Sequence, residues 1–332
     1  MYIGGTDIGG TKIEFSIFQV LEQAAGSGCM EMSLGNSTRY LRPVAVKRCP
    51  TERALGYEKV MENFAALVRN TCEEGGIAVS DLKGIGIGLP GTVCPIRKTM
   101  INGNTQIFVG RDITGDLSHL LGGTRVEVDN DANCFALAEV LAGAGVQYRR
   151  DTGRPLNKQL ALGVILGTGV GAGLCIGSTV ITGRNGAAGE VGHTELVTGG
   201  HACYCGKNGC TEMYLSGPAI EGAYASRMYS QIAERPAAHQ IFEMAAAKEP
   251  LAIALVKQHQ RQLAKFFANL SNLLDLDYIV CGGGLSKQPA IYEGLEALIA
   301  RDTYTPGYSP KIYKHQLGDS AGGIGAALLC VE

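Results

Sequence analysis

Residues 7–12 of this chain form a glycine-rich turn that ends a short apolar segment: Asp7-Ile8-Gly9-Gly10-Thr11-Lys12. Beyond the turn, apolar and polar side chains alternate, which predicts a strand over residues 12–18. The glycines let backbone N–H groups approach phosphate oxygens closely, Thr11 adds a hydroxyl donor and Lys12 a positive charge. Asp7 is suited to hold Mg²⁺ through water, because this ion keeps much of its hydration shell. The alternative for this turn alone is a glycine hairpin with a solvated charge.

A second glycine turn of the same chemistry lies in the other half of the chain: Gly167-Thr168-Gly169-x-Gly171. It joins the predicted strands 160–166 and 173–176, so each half contains one strand-turn-strand. Two such turns predict a two-domain clamp on a polyphosphate and weaken the plain-hairpin alternative. Neither turn is a P-loop, because the G-x-x-x-x-G-K-[ST] pattern is absent, and neither opens a helix as a dinucleotide fingerprint requires.

A third glycine run, Gly282-Gly283-Gly284, follows the predicted strand 278–281 and precedes a helix expected to begin near Pro289. Such a turn lets a flat group such as adenine lie against the backbone. A tight connection between a strand and a helix explains the same glycines equally well.

The composition is that of a globular chain with a sizeable core. Of the 332 residues, 45% are hydrophobic and 18% charged, which excludes disorder for most of the length. A net charge of −2 without a long basic run gives no support to binding of a nucleic acid or an anionic membrane. No secretory signal is visible, and the apolar runs are too short to cross a bilayer. Eleven cysteines, mostly alone in apolar segments, are typical of a cytoplasmic protein.

Helical and strand patterns mix in both halves, which predicts an α/β architecture. Residues 56–73 carry apolar side chains at helical spacing and are expected to form an amphipathic helix. Residues 84–88, Gly-Ile-Gly-Ile-Gly, predict a buried strand of small residues. Residues 19–39 are rich in Gly, Ser and Asn and are expected to form a long hairpin loop.

One histidine and three cysteines lie close together in the sequence: His193, Cys203, Cys205 and Cys210. They make a four-ligand set suited to tetrahedral Zn²⁺, and the glycines between the last two cysteines fit a tight loop around one ion. Because all four positions are filled, the predicted site is structural and has no open position for catalysis. The alternatives are a redox dithiol, a chance grouping, and His201 as the fourth ligand.

Polar residues crowd the end of a predicted strand and the start of a helix at residues 129–133, Asp-Asn-Asp-Ala-Asn. The helix dipole favours an ionised Asp131, which can accept a hydroxyl proton while Asn130 hydrogen-bonds the same substrate. A plain helix cap is the simpler interpretation of this motif in isolation. Glu190 and Glu212 bracket the cysteine cluster, and a bound metal would fix them as acceptors for a polyol; solvated surface is the alternative for each.

These motifs, in this order along nearly the whole chain, resemble the ROK family (repressors, open reading frames and sugar kinases). The matching segments are Asp7–Lys12, Gly86–Gly91, Asn130–Asn133, Leu166–Gly173, Gly189–His193, Cys203–Glu212, Gly282–Ser286 and Gly318–Gly325. The resemblance implies an α/β, actin-like ATPase fold of two RNase-H-like domains with a cleft between them. The smaller domain would comprise residues 1–129 and a C-terminal helix at about 317–332, and the larger one, with the zinc loop, residues 130–316.

The resemblance further implies an ATP-dependent hexose kinase that works as a homodimer, with Asp131 as the general base for the sugar 6-hydroxyl. The implied sugar ligands are Asn104, Asn130, Asp131, Glu190, His193 and Glu212. The implied ligands of ATP, which carries Mg²⁺, are Asp7, Gly9, Gly10, Thr11, Lys12, Gly167, Thr168, Gly169, Gly171, Gly282, Gly283 and Gly284. The implied ligands of a structural Zn²⁺ are His193, Cys203, Cys205 and Cys210.

The implied substrate is N-acetyl-D-glucosamine, because residues 129–137, 211–217 and 282–286 are most similar to that branch of the family. The alternatives are fructose, to whose branch residues 203–207 are also similar, and glucose and N-acetylmannosamine, whose kinases share the short segment before Cys203. A sugar-sensing regulator without catalysis is a further alternative. Repressors of the family carry a helix-turn-helix before the first glycine turn, and no room for one is expected here.

Overall fold

A computed structural model of the chain describes every residue except Gly10, Ser27, Asn36, Asn104, residues 229–234 and Glu332. The chain forms two compact units. The first comprises Met1–Gln159, Gly173–Ala188 and Gln316–Glu332, and the second comprises Leu160–Ala172 and Gly189–His315. No helix in the described part is both long enough and apolar enough to span a membrane.

The first unit is built on a mixed sheet. The described strands before residue 131 are β1 (Tyr2–Ile8), β2 (Lys12–Leu21), β3 (Met30–Leu34), β4 (Ser37–Pro50), β5 (Leu82–Leu89), β6 (Gly91–Val93), β7 (Met100–Gly103) and β8 (Val126–Asn130). Six of them form one sheet in the order β3-β4-β2-β1-β5-β8, while β6 and β7 pair with each other. β1 pairs antiparallel with β2 and parallel with β5. The first glycine turn therefore connects a β-hairpin, as predicted.

Each unit contains five described α-helices. Those of the first unit are α1 (Tyr57–Glu74), α2 (Ile113–Leu120), α3 (Asp131–Ala142), α4 (Ala144–Thr152) and, near the C-terminus, α10 (Ala321–Leu328). Those of the second unit are α5 (Glu212–Leu215), α6 (Gly217–Met228), α7 (Ala238–Ala246), α8 (Pro250–Leu274) and α9 (Leu295–Asp302). α1 confirms the predicted amphipathic helix and buries Val60, Phe64 and Leu67. α3 packs against α10, so residues 130–159 group with the first unit, whereas the predicted domain boundary lies at residue 129.

Glycines in the two central strands let α10 lie directly on the sheet. A Cβ atom at Gly5 would come within 1.9 Å of the Gly323 carbonyl oxygen, and one at Gly86 within 1.7 Å of the Ala326 carbonyl oxygen. The backbone of α10 thus occupies the space that side chains of β1 and β5 would need. This contact is the physical reason for the predicted strand of small residues at 84–88.

The segment 19–39 is not one long loop, and that prediction is wrong. Most of it belongs to the end of β2, to β3 and to the start of β4. Met32 of β3 is fully buried, and Glu31 forms ion pairs with Arg149 and Arg150 of α4. The apolar alternation in β3 gives this strand a buried position, which outweighs the turn-forming residues on either side of it.

A second sheet contains the remaining described strands, which are β9 (Leu160–Leu166), β10 (Val170–Ile176), β11 (Thr179–Val180), β12 (Tyr278–Gly282) and β13 (Lys311–Lys314), in the order β11-β10-β9-β12-β13. Of these strands, β9, β12 and β13 belong to the second unit, whereas β11 and residues 173–176 of β10 belong to the first. β12 pairs parallel with both β9 and β13. The helix expected near Pro289 begins later, at Leu295, and that prediction is wrong. Short 3-10 turns at Leu285–Lys287 and Pro289–Ile291 come first and bury Leu285 and Ile291.

Candidate active site

The first glycine turn, in the first unit, is held by hydrogen bonds. The Gly9 N–H donates to the Lys12 carbonyl at 2.9 Å, and Thr51 Oγ1 donates to the Gly9 carbonyl at 2.9 Å. Partial burial and the nearby Glu14 raise the pKa of Asp7, while the charge of Lys12 opposes the rise. Gly9 is therefore held through both its N–H and its carbonyl, between the carboxylate of Asp7 and the ammonium group of Lys12.

The motif at residues 129–133 caps α3 in the same unit. Asn130 Oδ1 accepts hydrogen bonds from the N–H groups of Ala132 and Asn133, at 2.8 and 3.3 Å, and Asn130 Nδ2 donates to the Gly91 carbonyl at 2.9 Å. The cap interpretation is therefore correct, and it places Asp131 at the first position of α3, half-exposed. A carboxylate at this position is stabilised by the positive end of the helix.

Asp129 and Asn133, to which the sequence gave no predicted role, form hydrogen bonds within this motif. Asp129 is buried, and its Oδ1 accepts hydrogen bonds from the Asn130 N–H at 2.7 Å and from Asn133 Nδ2 at 2.8 Å. Desolvation raises the pKa of Asp129, although these two hydrogen bonds and the charge of Lys98 oppose the rise. The run of polar residues in this motif could have indicated both positions, because a strand end that continues directly into a helix brings such side chains together.

In the second unit, the second glycine turn is joined to Glu212. The Gly167 N–H donates to the Gly169 carbonyl at 3.0 Å, and the Val170 N–H donates to Glu212 Oε2 at 2.9 Å. A Cβ atom at Gly169 would lie 2.5 Å from the same carboxylate oxygen, so a side chain there would displace the Glu212 carboxylate. Thr168 at the tip of the turn is exposed. The turn and the carboxylate at the start of α5 are therefore joined in one group.

Glu190 and His193 lie next to that group. Glu190 is exposed and immediately precedes the 3-10 turn Val191–His193. A Cβ atom at Gly192 would come within 2.0 Å of the Val170 carbonyl oxygen, which shows that this turn packs on the first residue of β10. Val170, to which the sequence reasoning gave no role, therefore holds Glu212 through its N–H and supports the Glu190–His193 segment through its carbonyl.

The third glycine run adjoins the second turn. Gly282, the last residue of β12, pairs with Ile165 of β9, so both strands end at the same edge. Gly283 has a φ of 79°, and a Cβ atom there would lie 2.5 Å from the Leu166 carbonyl oxygen. Ser286 Oγ closes the turn by donating to the Gly283 carbonyl at 2.7 Å. In α/β sheets, the carboxyl ends of parallel strands are the usual place for a ligand.

The four predicted metal ligands converge in the second unit. The ligand atoms of His193, Cys203, Cys205 and Cys210 all lie within 4.8 Å of one another. Cys205 Sγ and Cys210 Sγ are 3.6 Å apart, as are Cys203 Sγ and His193 Nδ1. Tetrahedral zinc with Zn–S bonds of about 2.3 Å separates two sulfur ligands by about 3.8 Å, so the spacing fits this ion. His201 is not among them; its ring stacks on Tyr214 instead.

Tyr204 lies over the histidine of this cluster. Its hydroxyl is 3.1 Å from His193 Nε2, and the two rings meet edge to face with centroids 5.2 Å apart. Partial desolvation and the charges of Glu212, Cys203 and Glu190 raise the pKa of Tyr204.

Two predicted ligands, Gly10 and Asn104, lie outside the described residues. The other predicted residues divide between the units. The first unit holds Asp7, Gly9, Thr11, Lys12, Asn130 and Asp131; the second holds Gly167, Thr168, Gly169, Gly171, Glu190, His193, Cys203, Cys205, Cys210, Glu212, Gly282, Gly283 and Gly284. Within the second unit, the second and third glycine turns, both glutamates and the metal cluster form one contiguous constellation.

Comparison with known proteins agrees with this arrangement. The ROK family model matches residues 44–332. The chain is 35% identical over 338 residues, covering 99% of both chains, to the N-acetyl-D-glucosamine kinase of Vibrio parahaemolyticus. The chain belongs to the ROK family, which confirms the resemblance found in its motifs.

Solved structures show the same fold. A ROK hexokinase from Thermus thermophilus superposes with a TM-score of 0.79 at 29% identity, covering 99% of this chain and 97% of the other. A ROK family glucokinase from Streptomyces griseus, solved with glucose and AMPPNP, gives a TM-score of 0.69 at 25% identity, with 99% of each chain covered. The predicted α/β class of actin-like ATPase type is therefore confirmed.

Proposed function

We propose that the chain is an ATP-dependent kinase that phosphorylates the 6-hydroxyl of N-acetyl-D-glucosamine. The observation that carries the proposal is the full-length match to a relative of that name at 35% identity. It agrees with the predicted enzyme class, a phosphotransferase acting on a sugar hydroxyl. The position of Asp131 at the start of α3 supports the same activity, because a half-exposed carboxylate there is suited to accept a hydroxyl proton.

The proposed reaction is an in-line transfer with few demands on side-chain chemistry. Asp131 accepts the proton of the sugar 6-hydroxyl while the sugar 6-oxygen forms a bond to the γ-phosphorus of ATP. The bond between the γ-phosphorus and the β–γ bridging oxygen breaks, and ADP is released. Phosphoryl transfer depends mainly on positioning and on stabilising charge. The glycine turns would contribute backbone N–H groups to the phosphates, and Lys12 a positive charge. Mg²⁺ bound with ATP would neutralise further charge on the phosphates.

The proposed sugar ligands are Asn104, Asn130, Glu190, His193 and Glu212. Among these proposed ligands, Glu212 has the strongest structural support, because the hydrogen bond from the Val170 N–H fixes one of its carboxylate oxygens beside the second glycine turn. Asn130 is already engaged by its cap bonds and by the Gly91 carbonyl. We therefore expect it to serve the sugar through the remaining hydrogen of its amide group. Gly282–Gly284 are proposed to lie against the adenine.

A structural zinc ion is proposed at His193, Cys203, Cys205 and Cys210. The donor set and the 3.6 Å spacings support it. The backbone N–H of Lys207 also lowers the pKa of the Cys205 thiol, which favours the thiolate that zinc binds. The ion would hold the loop that carries His193 and leads into Glu212. A homodimer is proposed from the family resemblance, and a cytoplasmic location from cysteines that are buried without a disulfide, such as Cys134, Cys175 and Cys281.

The proposed activity is tested by coupled ADP release with N-acetylglucosamine, N-acetylmannosamine, glucose and fructose as acceptors. The expected result is the highest kcat/KM with N-acetylglucosamine. Glucose is the second candidate, since the Streptomyces griseus relative at 25% identity is named a glucokinase. A preference for fructose or glucose would contradict the proposed substrate but not the assignment as a kinase. No sugar-dependent ADP release with any acceptor would overturn the kinase assignment itself.

A further inference from the structure

The proposed sugar ligands of the second unit lie on two segments of the chain. Residues 190–193 form the first segment, and Glu212 begins the second at the start of α5. Directly after the first segment and directly before the second, Thr194 and Thr211 pair through their backbones, with the Thr211 N–H donating to the Thr194 carbonyl at 2.9 Å. The adjacent residues continue this antiparallel pairing. The contact between the two threonines therefore joins the two segments.

The side chain of Thr211 adds a second link to this backbone pair. Thr211 is fully buried, and its Oγ1 donates to the Thr194 carbonyl at 3.0 Å. Thr194 Oγ1 donates in turn to the Val191 carbonyl at 2.7 Å. Because a hydroxyl has only one hydrogen, the further contact between the two hydroxyl oxygens, at 3.2 Å, takes its hydrogen from Thr211. The hydrogen bonds thus run from Thr211 through Thr194 to the 3-10 turn Val191–His193.

This chain of hydrogen bonds acts on both ligand segments at once. Thr211 directly precedes Glu212, and Thr194 directly follows His193. A site that binds a polyol needs its hydrogen-bonding groups at fixed separations, and small displacements of such groups are costly. A buried hydrogen bond fixes a separation well, because the low local dielectric strengthens it. The Thr211 hydroxyl is therefore placed to set the distance between the two segments.

We propose that Thr211 is a positioning residue for sugar binding, whose hydroxyl holds Glu212 in register with the 190–193 segment. This proposal rests on the proposed function, because it takes residues of both segments as sugar ligands. It gives Thr211 no part in proton transfer, which is assigned to Asp131. The bonds made by the Thr211 hydroxyl use backbone and hydroxyl oxygens and none of the four metal ligands, so the link is independent of zinc.

The test compares Thr211→Val with Thr211→Ser and with a matched control. Valine has the shape of threonine without the hydroxyl, whereas serine keeps the hydroxyl. The control is Thr71→Val in α1 of the first unit, because Thr71 is equally buried and its Oγ1 donates to the Leu67 carbonyl at 2.7 Å. Sugar binding is measured by titration calorimetry without ATP, using the acceptor with the highest kcat/KM in the wild type. Steady-state kinetics, denaturant unfolding and zinc content are measured on the same samples.

We expect T211V to weaken sugar binding at least fivefold, to raise KM to match, and to leave kcat within threefold and zinc content unchanged. T211S should bind the sugar within twofold of the wild type, because it restores the hydroxyl. T71V should lose stability as T211V does, with sugar binding unchanged. A general loss of stability would affect T71V and T211V alike, so the difference in sugar affinity between them reports the positioning role.

Four results would overturn the proposal. T211V could bind the sugar within twofold of the wild type, T211S could bind as weakly as T211V, or T71V could weaken binding equally. Loss of zinc in T211V is the fourth, because its effect would then pass through the metal site. If T211V does not fold, Thr194→Val makes the same test from the exposed partner. T194V breaks the link to the Val191 carbonyl and should weaken binding at least threefold, and unchanged binding in T194V would overturn the proposal.

The wild-type protein tests the proposed function separately. A wild type that binds and phosphorylates a sugar, together with an unaltered T211V, contradicts only the role of Thr211. A wild type that binds none of the four acceptor sugars contradicts both the proposed function and the role of Thr211.

Discussion

Asp131 combines a stabilised charge with access to solvent. It begins α3, where the helix dipole stabilises its charge, and it remains half-exposed and accessible to a substrate hydroxyl. Asn130 Oδ1 accepts the cap bonds from both Ala132 and Asn133, while Asp131 Oδ1 only shares the Ala132 N–H at 2.9 Å, so loss of the Asp131 charge should leave the cap in place. Its proposed role in proton transfer can therefore be separated from its role in the fold.

Asp131→Asn is expected to lower kcat by about 10²- to 10⁴-fold, the usual contribution of a positioned general base. Sugar binding should remain within about threefold of the wild type, because the amide has the same shape and still accepts hydrogen bonds. The measurements are steady-state ADP release and calorimetric titration with sugar. Near-normal kcat in this variant would remove Asp131 from the mechanism.

The second prediction at the residue scale concerns Asp129 and the dependence of protein stability on pH. Desolvation raises its pKa in the folded chain above the unfolded value, so the folded state holds this proton more tightly. Its contribution to stability is therefore greatest below the unfolded pKa and is lost as pH rises through the folded pKa. Asp129→Asn should remove this loss, because its side-chain oxygen can still accept the two hydrogen bonds.

Urea unfolding over a pH series that starts below the ordinary aspartate pKa of 3.8 and ends at neutral pH tests this sign. The variant should gain stability relative to the wild type as pH rises through that series. A relative loss over that interval would show that the charge of Asp129 is stabilising where it lies.

At the scale of elements, the packing of α10 on β1 and β5 depends on glycine. A side chain at Gly86 has no space, because its Cβ would lie 1.7 Å from a backbone carbonyl of the helix. Gly323, in the helix itself, has no atom within 4 Å of the position of a Cβ. The two glycines therefore offer a matched pair of substitutions.

Gly86→Ala is expected to destabilise the protein by at least about 2 kcal/mol, because the helix must move away from the sheet. Gly323→Ala should be neutral or stabilising by up to about 1 kcal/mol, since alanine favours a helix interior over glycine. Denaturant unfolding of both variants measures the difference. Equal effects of the two substitutions would contradict the close approach.

The metal loop gives the second prediction for an element. Structural zinc contributes to folding free energy on a scale of about 10 kcal/mol in small domains. Cys210→Ser or removal of zinc by a chelator should therefore cost more than about 2 kcal/mol and reduce sugar affinity, because the loop carries His193. Cys29→Ser, remote from the cluster in sequence and unit, is the control. Unfolding that is insensitive to the chelator, with no zinc found by elemental analysis, would contradict the site.

Elements with a strong period were predictable from the sequence, and those defined by tertiary contacts were less so. The helical spacing in α1 predicted its bounds to within one residue at each end. β3 was missed because glycine, serine and asparagine surround it, while burial of Met32 decides its structure. The helix after Gly284 was placed too early, since Pro289 starts a 3-10 turn there and not an α-helix.

At the scale of the whole molecule, the order of motifs predicted more than any single motif did. The glycine turns, the Asp131 cap and the cysteine cluster each had a plausible structural explanation on their own. Their succession along the chain indicated the family, and the match over residues 44–332 agrees with it. The support that Val170 gives to Glu212 and to the Glu190–His193 segment was not predictable, because it depends on backbone groups that have no sequence signature.

The central claim, phosphorylation of an acetamido sugar at its 6-oxygen, is tested most directly by identifying the product. The protein is incubated with Mg²⁺-ATP and N-acetylglucosamine, and the phosphosugar is examined by phosphorus-coupled NMR. The account predicts one product, with phosphate on the 6-oxygen, formed in equal amount with ADP. Phosphate on another hydroxyl, or ADP formed without any phosphosugar, would contradict it.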